Sequence, residues 1–237
     1  LKSVIPARYR DPEGHWFGLS LRSRVIFYAG DRVSPDELSS YEQLTDSKWR
    51  ARICVRSSSN VYNQSLLASL VAHLGVDAAE RWAHGLVANL ARKPQGGDRD
   101  QIKSVAAGEC DLAIANTYYY VRMLKSGKEA ERGAAEKVSL FWPNQNGRGA
   151  HVNISGAGVT VSAKNRENAI KLIEFLVGDE AQRTYAETAN EYPVKAGVPV
   201  SATVKALGEF KSDALDIATL AEHNAEAIKI FDRAGWR

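Results

Sequence analysis

Apolar residues along this chain fall into short continuous runs and longer stretches with helical spacing. The run at 25–28 is β-branched and aromatic, which predicts a buried strand. From Leu66 to Leu74 apolar residues recur every three or four positions, which predicts a helix that Gly75 ends. The same patterns predict strands at 52–56, 110–115, 138–142 and 151–162, and helices from 35, at 76–90 and 101–107, from 118, at 165–178 and 179–189, and from 201. This alternation is typical of an α/β fold with largely parallel sheets.

The composition is that of an ordinary globular protein. Of the 237 residues, 44% are hydrophobic and 25% are charged, which excludes a collagen-like, coiled-coil or disordered chain. A chain of this length can bury a core for one or two domains. The net charge is only +3 and no dense basic stripe is present, so we expect no nucleic-acid partner. The chain contains no run of 18 apolar residues, so the sequence predicts no membrane span.

Sequence motifs of common enzyme classes are absent. There is no GxxxxGK[ST], HExxH, GxSxG or CxxC, and the five histidines do not cluster at the spacing of metal ligands. The loop at 93–98 contains two glycines but does not follow a strand, so we do not predict a phosphate-binding loop there.

The two cysteines form a candidate pair. Cys54 and Cys110 each lie in a predicted strand, and each precedes a tyrosine, Tyr62 or Tyr118, by eight residues. If the two strands are parallel neighbours, the equal offsets place the cysteines at similar heights and the tyrosines at the same end of the sheet. A disulfide is then feasible in an oxidising compartment, and two buried free thiols are the alternative.

The tyrosines carry the clearest chemical signal. Tyr118 and Tyr119 follow the polar pair Asn116 and Thr117, which predicts a turn at the carboxyl end of a strand, where open α/β sheets bind ligands. Phenolates are hard anionic donors that suit highly charged cations, and three of them would balance a trivalent ion. A phenol with a pKa of about 10 needs the charge of the cation to ionise at neutral pH. From the residues alone, partly buried packing remains the commoner explanation of such a run.

Two segments of the sequence resemble the periplasmic ferric-ion-binding proteins that serve ABC-type iron importers. They are RICVRSSSNVYNQS at 52–65 and CDLAIANTYY at 110–119. A further pair, FLVGDEAQ at 175–182 and YPV at 192–194, resembles the wider family of solute-binding proteins. The resemblance covers nearly the whole chain, and its first two segments are specific for iron binding.

The resemblance implies that Tyr62, Tyr118 and Tyr119 are the ligands of Fe3+. Tyr62 follows the polar segment Arg-Ser-Ser-Ser-Asn, and the other two follow Ala-Asn-Thr. Tyr120 falls outside the matching positions and is expected to pack or to lie behind the ligands. A register that uses Tyr119 with Tyr120 is the alternative.

The resemblance also implies a synergistic anion. Some family members bind carbonate with an arginine near the start of a strand that crosses between lobes, and Arg22 matches that position. Its planar fork suits bidentate contact with an oxyanion, and a salt bridge is the alternative role. Arg24, expected on the opposite face of the strand, is the weaker candidate. Ser58, Asn60 and Asn116 lie in strand-to-helix turns, where they would either help to hold the anion or cap helices.

The implied fold is a two-lobed α/β periplasmic binding protein of type II, with a ligand cleft between the lobes. Residues 1–24 and 150–199 correspond to the first lobe, and residues 25–149 and 200–237 to the second, which carries the tyrosines. Family members have a further segment before the point that matches Leu1, and it supplies strands and often another metal ligand. We therefore expect part of the first lobe to be missing. His15 is a candidate substitute ligand on residue type alone.

The resemblance thus predicts a periplasmic, monomeric protein without its signal peptide, which captures Fe3+ and delivers it to an ABC-type permease in the inner membrane. No catalysis is expected. One alternative is a solute-binding protein for an oxyanion, a polyamine or a thiamine-like ligand, for which three phenols would offer weak charge recognition. The other is an α/β enzyme with Ser or Tyr in a cleft, although no recognised motif places a nucleophile beside a histidine.

Overall fold

A computed structural model describes all 237 residues, which form six strands and nine α-helices. The strands are β1 (Trp16–Ala29), β2 (Ile53–Cys54), β3 (Leu112–Asn116), β4 (Val138–Phe141), β5 (Val152–Gly158) and β6 (Tyr192–Pro193). The helices are α1 (Val61–Leu74), α2 (Val76–Ala88), α3 (Asp98–Ala107), α4 (Thr117–Leu124), α5 (Glu129–Glu136), α6 (Arg166–Leu176), α7 (Asp179–Thr184), α8 (Ala202–Lys205) and α9 (Ile217–Ala234). The predicted α/β class is confirmed.

β1 is the central strand, and it pairs with different strands along its two halves. Up to Ser23 it pairs with β5 and β6, and from Arg24 onward it pairs with β3 and β4. All these pairings are antiparallel and only β2 and β3 run parallel, so the expectation of largely parallel sheets is wrong. Helices connect β2 to β3 as a parallel crossover requires, whereas β1 precedes both and runs against them.

β1 covers 14 residues, far more than the predicted 25–28. Its first half includes Gly18, Ser20 and Arg22, none of which belongs to the β-branched or aromatic residues that are enriched in strands. The long ladder with β5 supplies the backbone partners that override this weak preference. β1 is therefore one continuous strand that belongs to both groups of strands.

Both faces of the second half of β1 are covered by helices. Ile26 points into an apolar cluster shared with α1, α2 and α9, while Val25 and Phe27 point into a second cluster shared with α3, α4 and α5. This alternation follows from the two-residue period of a strand. The first half of β1 contributes Phe17 and Leu19 to a third cluster with β5 and α6. The layered core fixes the positions of β2 and β3, and the tyrosines lie in the turns that follow these two strands in the chain.

Several predicted elements differ in extent. The helix predicted from residue 35 is a single 3-10 turn, and the strand predicted at 52–56 is reduced to β2. The chain from residue 201 is not one helix, because an irregular stretch at 206–216 separates α8 from α9. Helix α5 was not predicted because its only apolar side chains are three alanines, which give a weak periodic signal in the sequence. None of the helices has the length and apolar character that crossing a bilayer requires.

Candidate metal centre

Two strand-to-helix turns carry the three tyrosines. β2 and β3 are parallel neighbours, with Cys54 opposite Ala113, so their carboxyl ends meet at one edge of the sheet. α1 begins after Asn60 and α4 begins after Asn116. Each tyrosine therefore lies in the first turn of a helix that starts from this edge.

The structure brings Tyr62, Tyr118 and Tyr119 together. The hydroxyl oxygens of Tyr62 and Tyr118 are 3.0 Å apart, and the ring centres of Tyr118 and Tyr119 are 4.1 Å apart. Tyr120 points elsewhere, since its hydroxyl donates to the carbonyl of Val138 at 2.9 Å. The arrangement favours the register with Tyr118 and Tyr119 over the one with Tyr120, and the role of these phenols as metal ligands remains a prediction.

Tyr118 is the most buried of the three tyrosines, at 5% exposed. Burial raises the pKa of its hydroxyl above the ordinary value of 10.0, and the contacts with Tyr119 and Tyr62 raise it further. With no cation present, the Tyr118 hydroxyl therefore stays protonated at neutral pH, and it lies within hydrogen-bond distance of the Tyr62 hydroxyl. A highly charged cation is what would ionise it.

Positive charge surrounds the three rings. Four guanidinium groups lie within cation–π range of them, where they would favour a negatively charged phenolate. The distances from guanidinium carbon to ring centre are 5.7 Å for Arg22 and 5.8 Å for Arg56 at Tyr62, 4.9 Å for Arg122 at Tyr118, and 6.0 Å for Arg99 at Tyr119.

Arg22, the predicted anion-binding residue, lies beside Tyr62, but its fork is occupied. Nη1 donates to Ser155 Oγ at 2.5 Å and lies 3.4 Å from a carboxylate oxygen of Glu191, and Nη2 donates to the carbonyl of Ile154 at 2.9 Å. Nε is buried and has no partner. In this arrangement an anion has Nε available, whereas the two terminal nitrogens are taken by protein groups.

Arg24 lies on the same side of β1 as Arg22, and the expectation of opposite faces is wrong. Residues two apart in a strand share a face. Both arginines line one narrow polar gap next to Tyr62. Arg24 is 2% exposed, and its terminal nitrogens donate to side chains of the protein, including the carboxylate of Asp98 at 3.1 Å. It is therefore a buried structural cation rather than an open anion site.

The three polar turn residues have separate roles. Asn60 caps α1, because its Oδ1 accepts a hydrogen bond from the backbone N–H of Tyr62 at 3.0 Å. Ser58 contributes its carbonyl, which accepts from Gln64 Nε2 at 3.1 Å. Asn116 precedes α4 without capping it, and its Nδ2 is a buried donor without a partner. Of the three, only Asn116 lines the gap beside Tyr62.

Cys54 and Cys110 form a disulfide, with their Cα atoms 5.9 Å apart. Of the two alternatives that the sequence leaves open, the structure therefore contains the bond rather than free thiols. The predicted equal heights are not the reason, because Cys110 precedes β3 and Cys54 lies opposite Ala113. The bond ties β2 to the start of β3, behind the edge from which the tyrosines project.

His15 is not placed to reach the tyrosines. Its side chain is 75% exposed, and its Nε2 lies 3.0 Å from the carboxylate of Glu13. It precedes Arg22 by seven residues, which corresponds to about 23 Å along a strand at about 3.3 Å per residue. Asp98 was predicted to lie in a loop, whereas it is the first residue of α3. The sequence signal that could have indicated this is the enrichment of Asp in the first turn of helices.

His151 lies where the chain passes between the two groups of strands, and it is 3% exposed. Its Nε2 is 2.6 Å from Ser65 Oγ, which also accepts a hydrogen bond from Asn153 Nδ2 at 2.8 Å. Burial, followed by the positive charges of Arg24 and Arg148, lowers the pKa of His151 to about 3. The ring is therefore held neutral in the folded protein.

This low pKa predicts a loss of stability in mild acid. Between about pH 6 and pH 4 the unfolded chain protonates this histidine, whereas folded His151 stays neutral, so the unfolded state binds more protons. The free energy of unfolding should therefore fall with falling pH by about 1.4 kcal/mol per unit from this group alone. Urea titrations of wild type and His151→Gln at several pH values measure this dependence. The free energy of unfolding of the variant should have the shallower slope against pH. The exposed His84→Gln is the control, and equal slopes for His151→Gln and wild type would contradict the assignment.

Residues 2–214 match the family model of the bacterial extracellular solute-binding proteins. Iron uptake protein A1 of Synechocystis is 51% identical over this whole chain and 66% of its own length, and Iron uptake protein A2 of the same organism is 48% identical, with 69% of its length covered. A solved Trichodesmium protein in complex with iron and citrate ligands is 52% identical, with a TM-score of 0.97 over this whole chain and 75% of that one. The ferric binding protein from Campylobacter jejuni is 37% identical, with a TM-score of 0.96 and the same coverage.

These likenesses confirm the α/β periplasmic-binding-protein fold that the sequence resemblance implies. The chain spans about two thirds of the length of the curated relatives and three quarters of the solved chains. The matching family is one of solute-binding proteins, in agreement with the expectation that the chain is not an enzyme.

Proposed function

Because the chain belongs to the bacterial extracellular solute-binding proteins, and within them to the ferric-iron-binding group of ABC-type uptake systems, we propose that it binds Fe3+ through Tyr62, Tyr118 and Tyr119. One observation carries this proposal. Three phenols from two separate turns converge, with two of their oxygens 3.0 Å apart. Packing alone does not require the polar ends of these side chains to meet.

The chemistry of the set suits ferric iron. Three phenolates supply three negative charges, which a trivalent ion balances, and hard oxygen donors match a hard cation. Each phenol must lose its proton to bind, so uptake of the ion releases protons and affinity rises with pH. The surrounding arginines lower the cost of bringing three negative oxygens together.

We further propose that a synergistic anion such as carbonate accompanies the metal. Arg22 Nε and Asn116 Nδ2 are buried donors without partners, and both residues line the gap beside Tyr62. A buried donor without an acceptor is costly, so an anion that accepts a hydrogen bond from either group would be favoured. An oxyanion on these donors would contact the metal site from the side of β1.

The proposed transport role uses the two groups of strands along β1 as lobes. The first comprises residues 1–24 and 150–199, and the second residues 25–149 and 200–237. Motion about the points where the chain passes between them would close the cleft over the ion. The protein would act in the periplasm as a monomer and hand Fe3+ to an ABC-type permease, as membership of this family suggests.

A spectroscopic titration tests the metal site. Purified protein mixed with ferric citrate should turn red to orange, because phenolate-to-iron charge transfer absorbs visible light. Metal analysis after gel filtration should find about one iron per chain. A colourless protein that retains no iron would overturn the proposal and favour a different solute.

A further inference from the structure

A buried carboxylate lies behind the tyrosine turns. The side chain of Asp98, at the start of α3, is 0% exposed. Its Oδ2 accepts from Arg24 Nη1 at 3.1 Å and from the backbone N–H of Asn116 at 2.8 Å, and its Oδ1 accepts from Arg56 Nη1 at 3.2 Å. A single carboxylate thus connects β1, the turn before α4 and the turn before α1.

Arg24 extends this connection to the residues next to the tyrosines. Its Nη2 donates to Asn63 Oδ1 at 2.5 Å, and its Nη1 donates to Asn116 Oδ1 at 3.0 Å as well as to Asp98. Asn63 follows Tyr62 directly in the chain, and it is 1% exposed. The Arg24 fork therefore holds both turns with one rigid, planar group.

Asn63 also connects this network to the loop that precedes Tyr62. Its Nδ2 donates to the carbonyls of Arg56 and Ser57, at 2.9 and 3.1 Å. Asp98 also holds the guanidinium of Arg56, which lies against the Tyr62 ring. Hydrogen bonds that lead back to the buried pair of Asp98 and Arg24 thus hold the backbone both before and after Tyr62.

The network has the form expected of a positioning device. A buried ion pair is no guarantee of extra stability, because removing two charges from water costs about as much as their attraction returns. Its hydrogen bonds do, however, fix direction and distance, and groups behind metal ligands commonly set ligand orientation in this way. Here the fixed quantity is the separation between the two turns that present Tyr62 and Tyr118.

We infer that Asp98 and Arg24 are positioning residues that set the spacing of the tyrosine oxygens for the metal. This inference rests on the proposed iron site. It assigns to Asp98 no contact with the ion, because the carboxylate acts through Arg24, Arg56 and the backbone of Asn116.

The chain offers a matched control for this inference. Asp111 also bridges two arginines, accepting from Arg32 Nε and Arg52 Nε at 2.6 Å each. It precedes β3, whereas Asn116 ends that strand, so the Asp111 bridge lies at the end away from the tyrosines. Asp98→Asn and Asp111→Asn each remove a carboxylate that bridges two arginines, with Asp98 0% exposed and Asp111 16% exposed.

The test compares the two variants with wild type by the visible band, by Fe3+ retention against a citrate series, and by thermal melting. Asp98→Asn should bind Fe3+ about 10- to 100-fold more weakly and shift its band, as expected for a group behind metal ligands. Asp111→Asn should keep the wild-type band and affinity even where its melting temperature falls. If Asp98→Asn does not fold, Arg24→Lys keeps the buried charge, loses the fork and should show the same loss.

The outcomes separate the two proposals. Wild type without colour or bound iron would overturn the metal site itself. Wild type that binds iron, together with a folded Asp98→Asn or Arg24→Lys of unchanged band and affinity, would overturn the positioning role alone. Equal losses of affinity in Asp98→Asn and Asp111→Asn would also overturn it, because they would show a general effect of weakened folding.

Discussion

Replacing Tyr118 and Tyr119 together by phenylalanine is expected to abolish the visible colour that Fe3+ gives the protein. The colour needs ionised tyrosine oxygens on the metal, and the double variant leaves Tyr62 as the only proposed ligand. Affinity for Fe3+ should fall by more than about 100-fold, which is the largest loss expected when a residue behind the metal ligands is changed. Titration with ferric citrate, followed by absorbance and by iron retained after gel filtration, measures both effects. Because the rings remain, the apolar packing of α4 is kept and the variant should fold.

Tyr120→Phe is the matched control for this pair. Tyr120 lies in the same helix, but its hydroxyl donates to the carbonyl of Val138 and takes no part in the phenol cluster. Its loss should cost about 1 kcal/mol of stability and leave the colour intact. Colour that survives in the double variant would refute the ligand set. Colour lost in Tyr120→Phe would instead support the register that uses Tyr119 with Tyr120.

Replacing Cys54 and Cys110 by alanine is expected to lower the free energy of unfolding by about 4 kcal/mol, because the disulfide closes a long loop in the unfolded chain. The two cysteines are 56 residues apart. Both are buried in the cluster that contains Val25 and Phe27, so alanine leaves no polar group unsatisfied there. Such a loss is a large part of the about 5–15 kcal/mol that stabilises a typical protein. Urea denaturation without reductant measures it.

Reduction of the wild-type protein supplies an independent comparison. A reductant that opens the bond should bring wild type close to the stability of the double alanine variant, and it should leave the variant itself unchanged. If fully reduced wild type keeps its original denaturation midpoint, the stabilising role of the bond is wrong. The bond lies behind the tyrosine edge, so the iron colour of the variant should persist under conditions in which it is folded.

The meeting of the tyrosines was predictable from local sequence. Each of Tyr62 and Tyr118 follows a short buried strand and lies in the first turn of a helix, and neighbouring parallel strands bring such turns together. The prediction succeeded although its assumed register did not, since Cys54 lies opposite Ala113. Only the order of elements, strand then polar turn then tyrosine, was needed.

The groups that hold the tyrosines were not predictable in the same way. Asp98 is 74 residues from Arg24 and 42 from Arg56, so no local pattern links them. The terminal nitrogens of Arg22 donate to Ser155 and Ile154, which lie on β5. This strand is far from β1 in sequence and pairs with it only in the folded protein. Periodicity reports burial and local geometry, whereas partner choice between distant polar residues depends on the tertiary fold.

The course of β1 has a consequence for the order in which the molecule folds. Ser23 Oγ donates to the carbonyl of His151, across 128 residues of chain. Closing so long a loop costs conformational entropy in an unfolded chain, and the cost falls once the intervening residues are compact. Those residues contain β2, β3 and β4 with their helices, so we expect this part of the chain to become compact first and β5 to dock on β1 afterwards. The tyrosine turns would then be assembled before the two halves of the protein are joined, which pulsed hydrogen exchange would show as earlier protection of β3 than of β5.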